Sequence, residues 1–252
     1  MKIVFFGTPD FTLPILSLLH RKFVTGPGNS PIVSVVTQGP KPTGRKKILT
    51  YSPVDKWAHE RSIPIFHSPQ EYLKEGPKAD LGLLAAYGAL IPKEVIRAFP
   101  HGILNVHPSL LPKYRGASPV QATVLTEDVA GVTIIKIDEL MDHGPIVSQF
   151  EEELNPSDTL ETLRSRLFER ASEVLVALIE PYLKGRIKPR EQNHEEATYT
   201  TQVKKDHGFI PPKFLKFALE GKSLDEDWEI GFIKDFSLAS SPSSLEKFIR
   251  AL

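Results

Sequence analysis

Residues 80–87, DLGLLAAY, are apolar almost without interruption, and few architectures accommodate such a run. A strand with one wet face alternates polar and apolar residues. A strand that is apolar on both faces must be covered on both, as parallel strands flanked by helices are. KIVFFG at 2–7, IVSVVT at 32–37, IPIFH at 63–67 and GVTIIKID at 131–138 read as further strands, with 146–154 pairing back as an edge strand. Helices are predicted after the turn Thr8, Pro9, Asp10, over 53–61, from Lys93 onward and over 119–125. Strands alternating with helices predict an α/β fold with a doubly wound, mostly parallel sheet. A long helix follows from about Asp158 to Lys184, with Leu160, Leu163, Leu167, Ala171, Leu175 and Leu178 on one stripe. Asp158 with Glu161 resembles a capping box, and Gly185 stops the helix. The first strand–helix turn reads GTPDF and carries no dinucleotide fingerprint.

Composition narrows the chemistry. There are no cysteines, which excludes disulfides, thiolate metal sites and cysteine nucleophiles. The eight histidines are scattered without metal-ligand spacing, so no metal is expected. A formal net charge of zero argues against a uniformly positive surface but leaves room for a local basic patch. No stretch approaches the ~18 apolar residues of a membrane span, and the N-terminus lacks a cleavage pattern. A cytoplasmic monomer with no membrane or protein partner is expected. The 22 prolines exceed the usual ~5% share and sit largely at junctions, which predicts stiff loops.

Three stretches hold candidate functional residues. In GILNVHPSLLPKYRG, residues 102–116, an apolar run turns abruptly polar and then meets Pro108 and Pro112, the pattern of a strand ending in a rigid loop. Open α/β sheets hold ligands at such ends. Asn105 and His107 lie two apart and so share a face, offering an amide donor and an imidazole. A hydrogen-bonded structural pair fits these two residues alone as well as a catalytic one. In TQGPKPTGRKKILTYSPV, residues 37–54, a loop of about fifteen residues presents Lys41, Arg45, Lys46 and Lys47. Gly39, Pro40, Pro42 and Gly44 argue against helix or strand there. Such a loop is either a solvated charge run or a phosphate contact. The end of the central strand, with Tyr87, Gly88, Leu90 and Ile91, is either a plain connection or a place for a flat heterocycle.

Taken together, NVHPSLLPKYRG and GVTIIKIDELMDHGPI resemble the folate-dependent formyltransferases. The resemblance implies their Rossmann-like fold and a catalytic trio at Asn105, His107 and Asp142. It implies a pterin pocket lined by Tyr87, Gly88, Leu90 and Ile91, with Ser109, Leu110, Leu111 and Pro112 as a further wall. The opening MKIVFFGTPDF resembles the transfer-RNA branch of that family. This implies 10-formyltetrahydrofolate as formyl donor, initiator methionyl-tRNA as acceptor, and RNA contact by Lys41, Arg45, Lys46 and Lys47. Arg115 is a candidate for substrate phosphate or sugar. Sugar-nucleotide amines and glycinamide ribonucleotide stand as alternative acceptors, and a non-catalytic folate- or RNA-binding module as the alternative class. The segments ATYT and KKDHGFI match the family's connection to a C-terminal domain. The expected partition is a catalytic domain over 1–186, a linker over 187–212, and a short C-terminal helical extension over 213–252. In full-length relatives a similar IRA segment leads on to a small β-barrel, so that extension reads as the start of a C-terminal domain cut short.

Overall fold

The strand Ile3–Gly7 (β1) is buried along its whole length, and the main sheet grows from it in both directions. The computed structural model describes residues 1–26 and 28–252. In chain order, β1 leads to α1 (Leu13–Phe23), β2 (Ile32–Val36), β3 (Lys41–Thr43), β4 (Ile48–Thr50), α2 (Pro53–His59), β5 (Ile65–Phe66), α3 (Pro69–Glu75), β6 (Leu81–Ala85), α4 (Lys93–Arg97) and β7 (Ile103–His107). After these come β8 (Arg115–Gly116), α5 (Pro119–Thr126), β9 (Val129–Lys136), β10 (Ile146–Glu153) and α6 (Leu160–Leu183). The chain closes with β11 (Tyr199–Thr200), α7 (Pro212–Leu219), β12 (Asp227–Glu229), β13 (Ser237–Ala239) and α8 (Pro242–Ala251).

These elements fall into two compact units, and both are discontinuous in sequence. The first comprises Met1–His107, Ile134–Ser148 and Phe168–Glu191; the second comprises Pro108–Thr133, Gln149–Leu167 and Gln192–Leu252. The C-terminal segment groups with chain from the middle of the sequence.

In the first unit, β1 pairs in parallel with β2 on one side and β6 on the other. β5 extends the sheet beyond β2 and β7 extends it beyond β6, both in parallel. The full order is β10-β9-β7-β6-β1-β2-β5. The chain therefore winds outward to β5 and returns to β6, so strand order reverses between β1 and β6. At that switch point the carboxyl ends of the strands leave a crevice where such sheets hold ligands. The core on one face is aromatic: Phe6 meets Tyr72, Tyr87 and Phe99 edge-on at 6.0–6.1 Å, and Tyr72 stacks on Phe99. Burying each such side chain contributes ~1.5–3 kcal/mol. Ser52 and Ser68 start α2 and α3 by accepting the backbone N–H of Asp55 and Glu71 at 3.0 and 3.1 Å, each followed by a proline at the first helical position.

The second unit is built around α5, α8 and short strands. β8 and β11 pair in parallel through Arg115–Tyr199 and Gly116–Thr200. β12 and β13 form an antiparallel hairpin. Trp228 of that hairpin packs between Phe214 of α7 and Phe248 of α8, at 5.1 and 4.2 Å.

Several expectations are corrected. The basic loop is a hairpin: β3 pairs with β4 in antiparallel register, with Pro42 opposite Leu49. Both strands of a two-stranded ribbon are edges, and an edge tolerates a missing N–H, so Pro42 does not forbid the pairing. The cap of α6 is Thr159, one residue later than expected. Its Oγ1 accepts the N–H of Thr162 at 3.3 Å, while its own N–H donates to Thr162 Oγ1 at 2.9 Å. Asp158 instead accepts from Arg166 and from the N–H of Asn155. Within the expected linker, residues 187–212, Arg190 exchanges backbone bonds with Ile146 in the first unit, and β11 joins β8 in the second. Residues 213–252 contain a hairpin besides two helices. Helix α3 has no counterpart among the elements expected from the sequence. Among the described residues no helix is long and apolar enough to cross a membrane.

Candidate active site

Three side chains of the first unit converge at the end of β7. Asn105 and His107 project from the same face of that strand and are 6% and 4% exposed. Asn105 Nδ2 donates to Asp142 Oδ1 at 3.2 Å. His107 Nδ1 lies 3.6 Å from the same oxygen. A carboxylate oxygen is thus shared by an amide and an imidazole within one buried cluster. A primary amide carries two N–H donors, so holding Asp142 with one leaves the other for a substrate oxygen.

Asp142 reaches this place through an unusual backbone. Its φ is +50°, a left-handed conformation that aspartate tolerates better than most residues and that clusters at functional sites. The loop around it is fastened at several points. Asp138 accepts the N–H of Leu140 at 2.9 Å, and its other oxygen faces His143 Nδ1 at 2.7 Å. Glu139 pairs with Lys93 and Arg97 at the start and end of α4. A side chain on Gly144 would place its Cβ 1.9 Å from the carbonyl oxygen of Lys136, so the loop lies directly against β9 there.

The formyl transferase family model matches residues 1–179 of this chain. The chain belongs to the formyl transferase family. It is 41% identical over 214 residues to a methionyl-tRNA formyltransferase from Kosmotoga olearia, covering 82% of this chain and 67% of that protein. It is 37% identical over 217 residues to the methionyl-tRNA formyltransferase of Thermotoga neapolitana, covering 83% and 67%. In fold it resembles a sugar 3N-formyl transferase solved in the presence of dTDP and 5-N-formyl-THF. That likeness has a TM-score of 0.69 at 18% identity and covers 100% of this chain and 78% of that one. This formyltransferase is accordingly an enzyme of formyl-group transfer.

The remaining expected site residues divide between the units of the formyltransferase. In the first, Tyr87 is buried, its hydroxyl pushed above the ordinary value by burial, so the phenol stays neutral. Gly88 and Leu90 are exposed, Leu90 at 82%, and Ile91 is half-buried. The backbone turns sharply here, with Ala86 at φ +46° and Gly88 at +82°. Gln38 and Thr8 tie this turn down: Thr8 Oγ1 donates to the Tyr87 carbonyl at 3.1 Å, and Gln38 Nε2 donates to the Tyr87 and Gly88 carbonyls at 3.1 and 3.3 Å. Lys41 stands at the start of β3, with Arg45, Lys46 and Lys47 in the turn of the hairpin, and all four are exposed. A cleft of about 620 Å³ also opens in this unit, lined by His20, Ser30, Arg61 and Pro64 among others, but it includes none of the expected site residues.

In the second unit, Ser109 and Leu111 are buried and braced by Thr133 and Gln149: Thr133 Oγ1 donates to the Ser109 carbonyl and accepts the Leu111 N–H, and Gln149 Nε2 donates to the Leu111 carbonyl. Leu110 and Pro112 line a cleft of about 220 Å³ with Tyr114, Val129 and Glu196. Arg115, the candidate for substrate phosphate or sugar, lies in β8. It is 2% exposed, and its guanidinium donates to Gln192 Oε1 and contacts His194 Nδ1 at 2.8 Å. These bonds fasten the segment at Gln192 to β8. Gln38, Thr8 and the Asp138–His143 contact do not stand out in the sequence. Only the Asp138 turn has a local signal, an aspartate whose side chain bonds a backbone N–H two residues on. Among the described residues, no group of three or more His, Cys, Asp or Glu comes together to hold a metal ion.

Proposed function

We propose that this chain transfers the formyl group of 10-formyltetrahydrofolate to the amino group of methionine on initiator transfer RNA, in the cytoplasm where translation starts. The observation that carries the reading is the convergence of Asn105 and His107 on one oxygen of Asp142. The substrate's amine nitrogen attacks the formyl carbon and gives a tetrahedral intermediate with a negative oxygen. The second N–H of Asn105 donates to that oxygen, a contact worth roughly 10²–10³ in rate. His107, when cationic, donates to it as well. Asp142 takes the proton leaving the ammonium and, through water, passes it to the folate nitrogen as the carbon–nitrogen bond breaks. The loop with Tyr87, Gly88, Leu90 and Ile91 receives the pterin ring, and Ser109, Leu110, Leu111 and Pro112 are the cofactor-binding residues of the second unit. Lys41, Arg45, Lys46 and Lys47 meet RNA phosphates. The names and identities of the relatives support the acceptor.

The test is a formylation assay with three acceptors: methionyl initiator transfer RNA, an amino-sugar nucleotide and glycinamide ribonucleotide. Turnover with the charged RNA at a kcat/KM at least a hundredfold above the others is expected. Turnover with a small amine alone would reassign the acceptor, and folate binding without turnover on any of them would leave a binding module.

A further inference from the structure

Gln38 follows β2 directly, and its side chain bonds in two directions. Nε2 donates to the carbonyl oxygens of Tyr87 and Gly88 at 3.1 and 3.3 Å. Oε1 accepts from Nζ of Lys41, the first residue of β3. The backbone N–H of Gln38 donates to Thr8 Oγ1 at 3.4 Å, and that hydroxyl donates in turn to the Tyr87 carbonyl. A Cβ at position 88 would stand 2.8 Å from Gln38 Nε2, so a side chain there would push the amide off its present place.

An amide suits this place because it donates at one end and accepts at the other. A cation on its oxygen polarises the group and strengthens donation from its nitrogen. The hairpin's first residue and the turn after β6 are therefore joined through the side chain of Gln38, which lies 49 positions from Tyr87.

We propose that Gln38 is a positioning residue that sets the pterin-side turn and the root of the basic hairpin together, so that both substrates are held through it. This role rests on the functional reading above, in which that turn meets folate and that hairpin meets RNA.

Three variants separate the two ends of the amide. Gln38→Ala removes both. Gln38→Glu keeps an oxygen for Lys41 but sets a carboxylate against two carbonyls. Lys41→Met removes the hairpin end of the amide together with a cation assigned to RNA. Equilibrium binding of 5-formyltetrahydrofolate and of initiator transfer RNA is measured for each, with KM for both substrates and the thermal midpoint alongside. Gln38→Ala should weaken both ligands about tenfold, the loss of one or two hydrogen bonds. Gln38→Glu should weaken folate similarly and leave RNA within about twofold. Lys41→Met should do the reverse. Folate binding unchanged in Gln38→Glu, or a loss in Gln38→Ala confined to RNA, would overturn the role while leaving the enzyme reading intact. A parent protein that binds neither ligand would overturn both. If Gln38→Ala fails to fold, the folate loss expected of Gln38→Glu, with RNA binding kept, still decides the matter.

Discussion

At the scale of single residues, the proposed mechanism gives Asn105 two jobs. One N–H holds Asp142, whose backbone sits at φ +50°, and the other is proposed to donate to the developing oxyanion. Asn105→Ala should therefore lower kcat by about 10²–10³ while 5-formyltetrahydrofolate binds within about twofold of the parent. A parallel loss of folate binding in equilibrium titration would make the residue structural. Gly144 is the neighbouring constraint. A methyl carbon at that position would stand only 1.9 Å from the Lys136 carbonyl oxygen, so Gly144→Ala must shift the loop that holds Asp142. A fall in kcat exceeding tenfold with the thermal midpoint lowered by only a few degrees is the expected result. Asn105 and His107 were legible because strand periodicity puts alternate residues on one face. Asp142 was reached through family resemblance, since a carboxylate 37 positions away has no local signal tying it to them.

At the scale of elements, the basic segment shows where local rules mislead. Glycine and proline argued for an open loop, yet β3 and β4 pair, and the turn at Gly44 and Lys47 uses left-handed backbone at +67° and +48°. A hairpin presents its turn cations from a stiffer base than a free loop does. Replacing Lys46 and Lys47 by alanine should raise KM for the RNA several-fold, leave folate affinity unchanged, and reduce the salt dependence of RNA binding by about 0.7–0.9 per lost phosphate contact. An unaltered salt slope would remove these residues from the interface.

The start of α6 carries a second prediction. The Arg166 guanidinium, bonded to both oxygens of the buried Asp158 at 2.9 and 2.6 Å, holds its carboxyl below the ordinary range. A folded-state value below the unfolded one means the stabilisation is fully present above the unfolded value of about 3.9. It is lost as pH falls through the lower folded value. Asp158→Asn should cost ~2 kcal/mol at neutral pH, less than a fully buried pair because Arg166 is partly exposed. It should also flatten the acid limb of a urea-midpoint profile taken down to about pH 3. Superimposable profiles for parent and variant would show that the pair contributes nothing net.

At the scale of the whole molecule, two units built from interleaved segments mean that neither is encoded by one continuous stretch. Ligand binding should still register globally. 5-Formyltetrahydrofolate at a hundredfold excess over its Kd should stabilise the folded protein by about 2.7 kcal/mol, read as a rise in thermal midpoint that grows with ligand concentration. No rise at that excess would mean the folded protein does not hold folate.

The sequence by itself determined the α/β class, the central buried strands, most helix starts and the pairing of Asn105 with His107 on one face. Those follow from apolar periodicity and strand alternation, both of which act over a few residues. Only the tertiary structure decided that Thr159 rather than Asp158 caps α6, that the basic segment pairs with itself, that Arg115 is buried against Gln192, and that Gln38 joins Lys41 to the turn at Tyr87. The physical reason is common to all four. A cap, an edge, a buried cation and a bridging amide are each defined by which polar group lies within about 3 Å. For Arg115 and Gln38 a deciding partner lies 77 and 49 positions away. For the cap and the hairpin several nearby groups compete, and only the folded chain selects one.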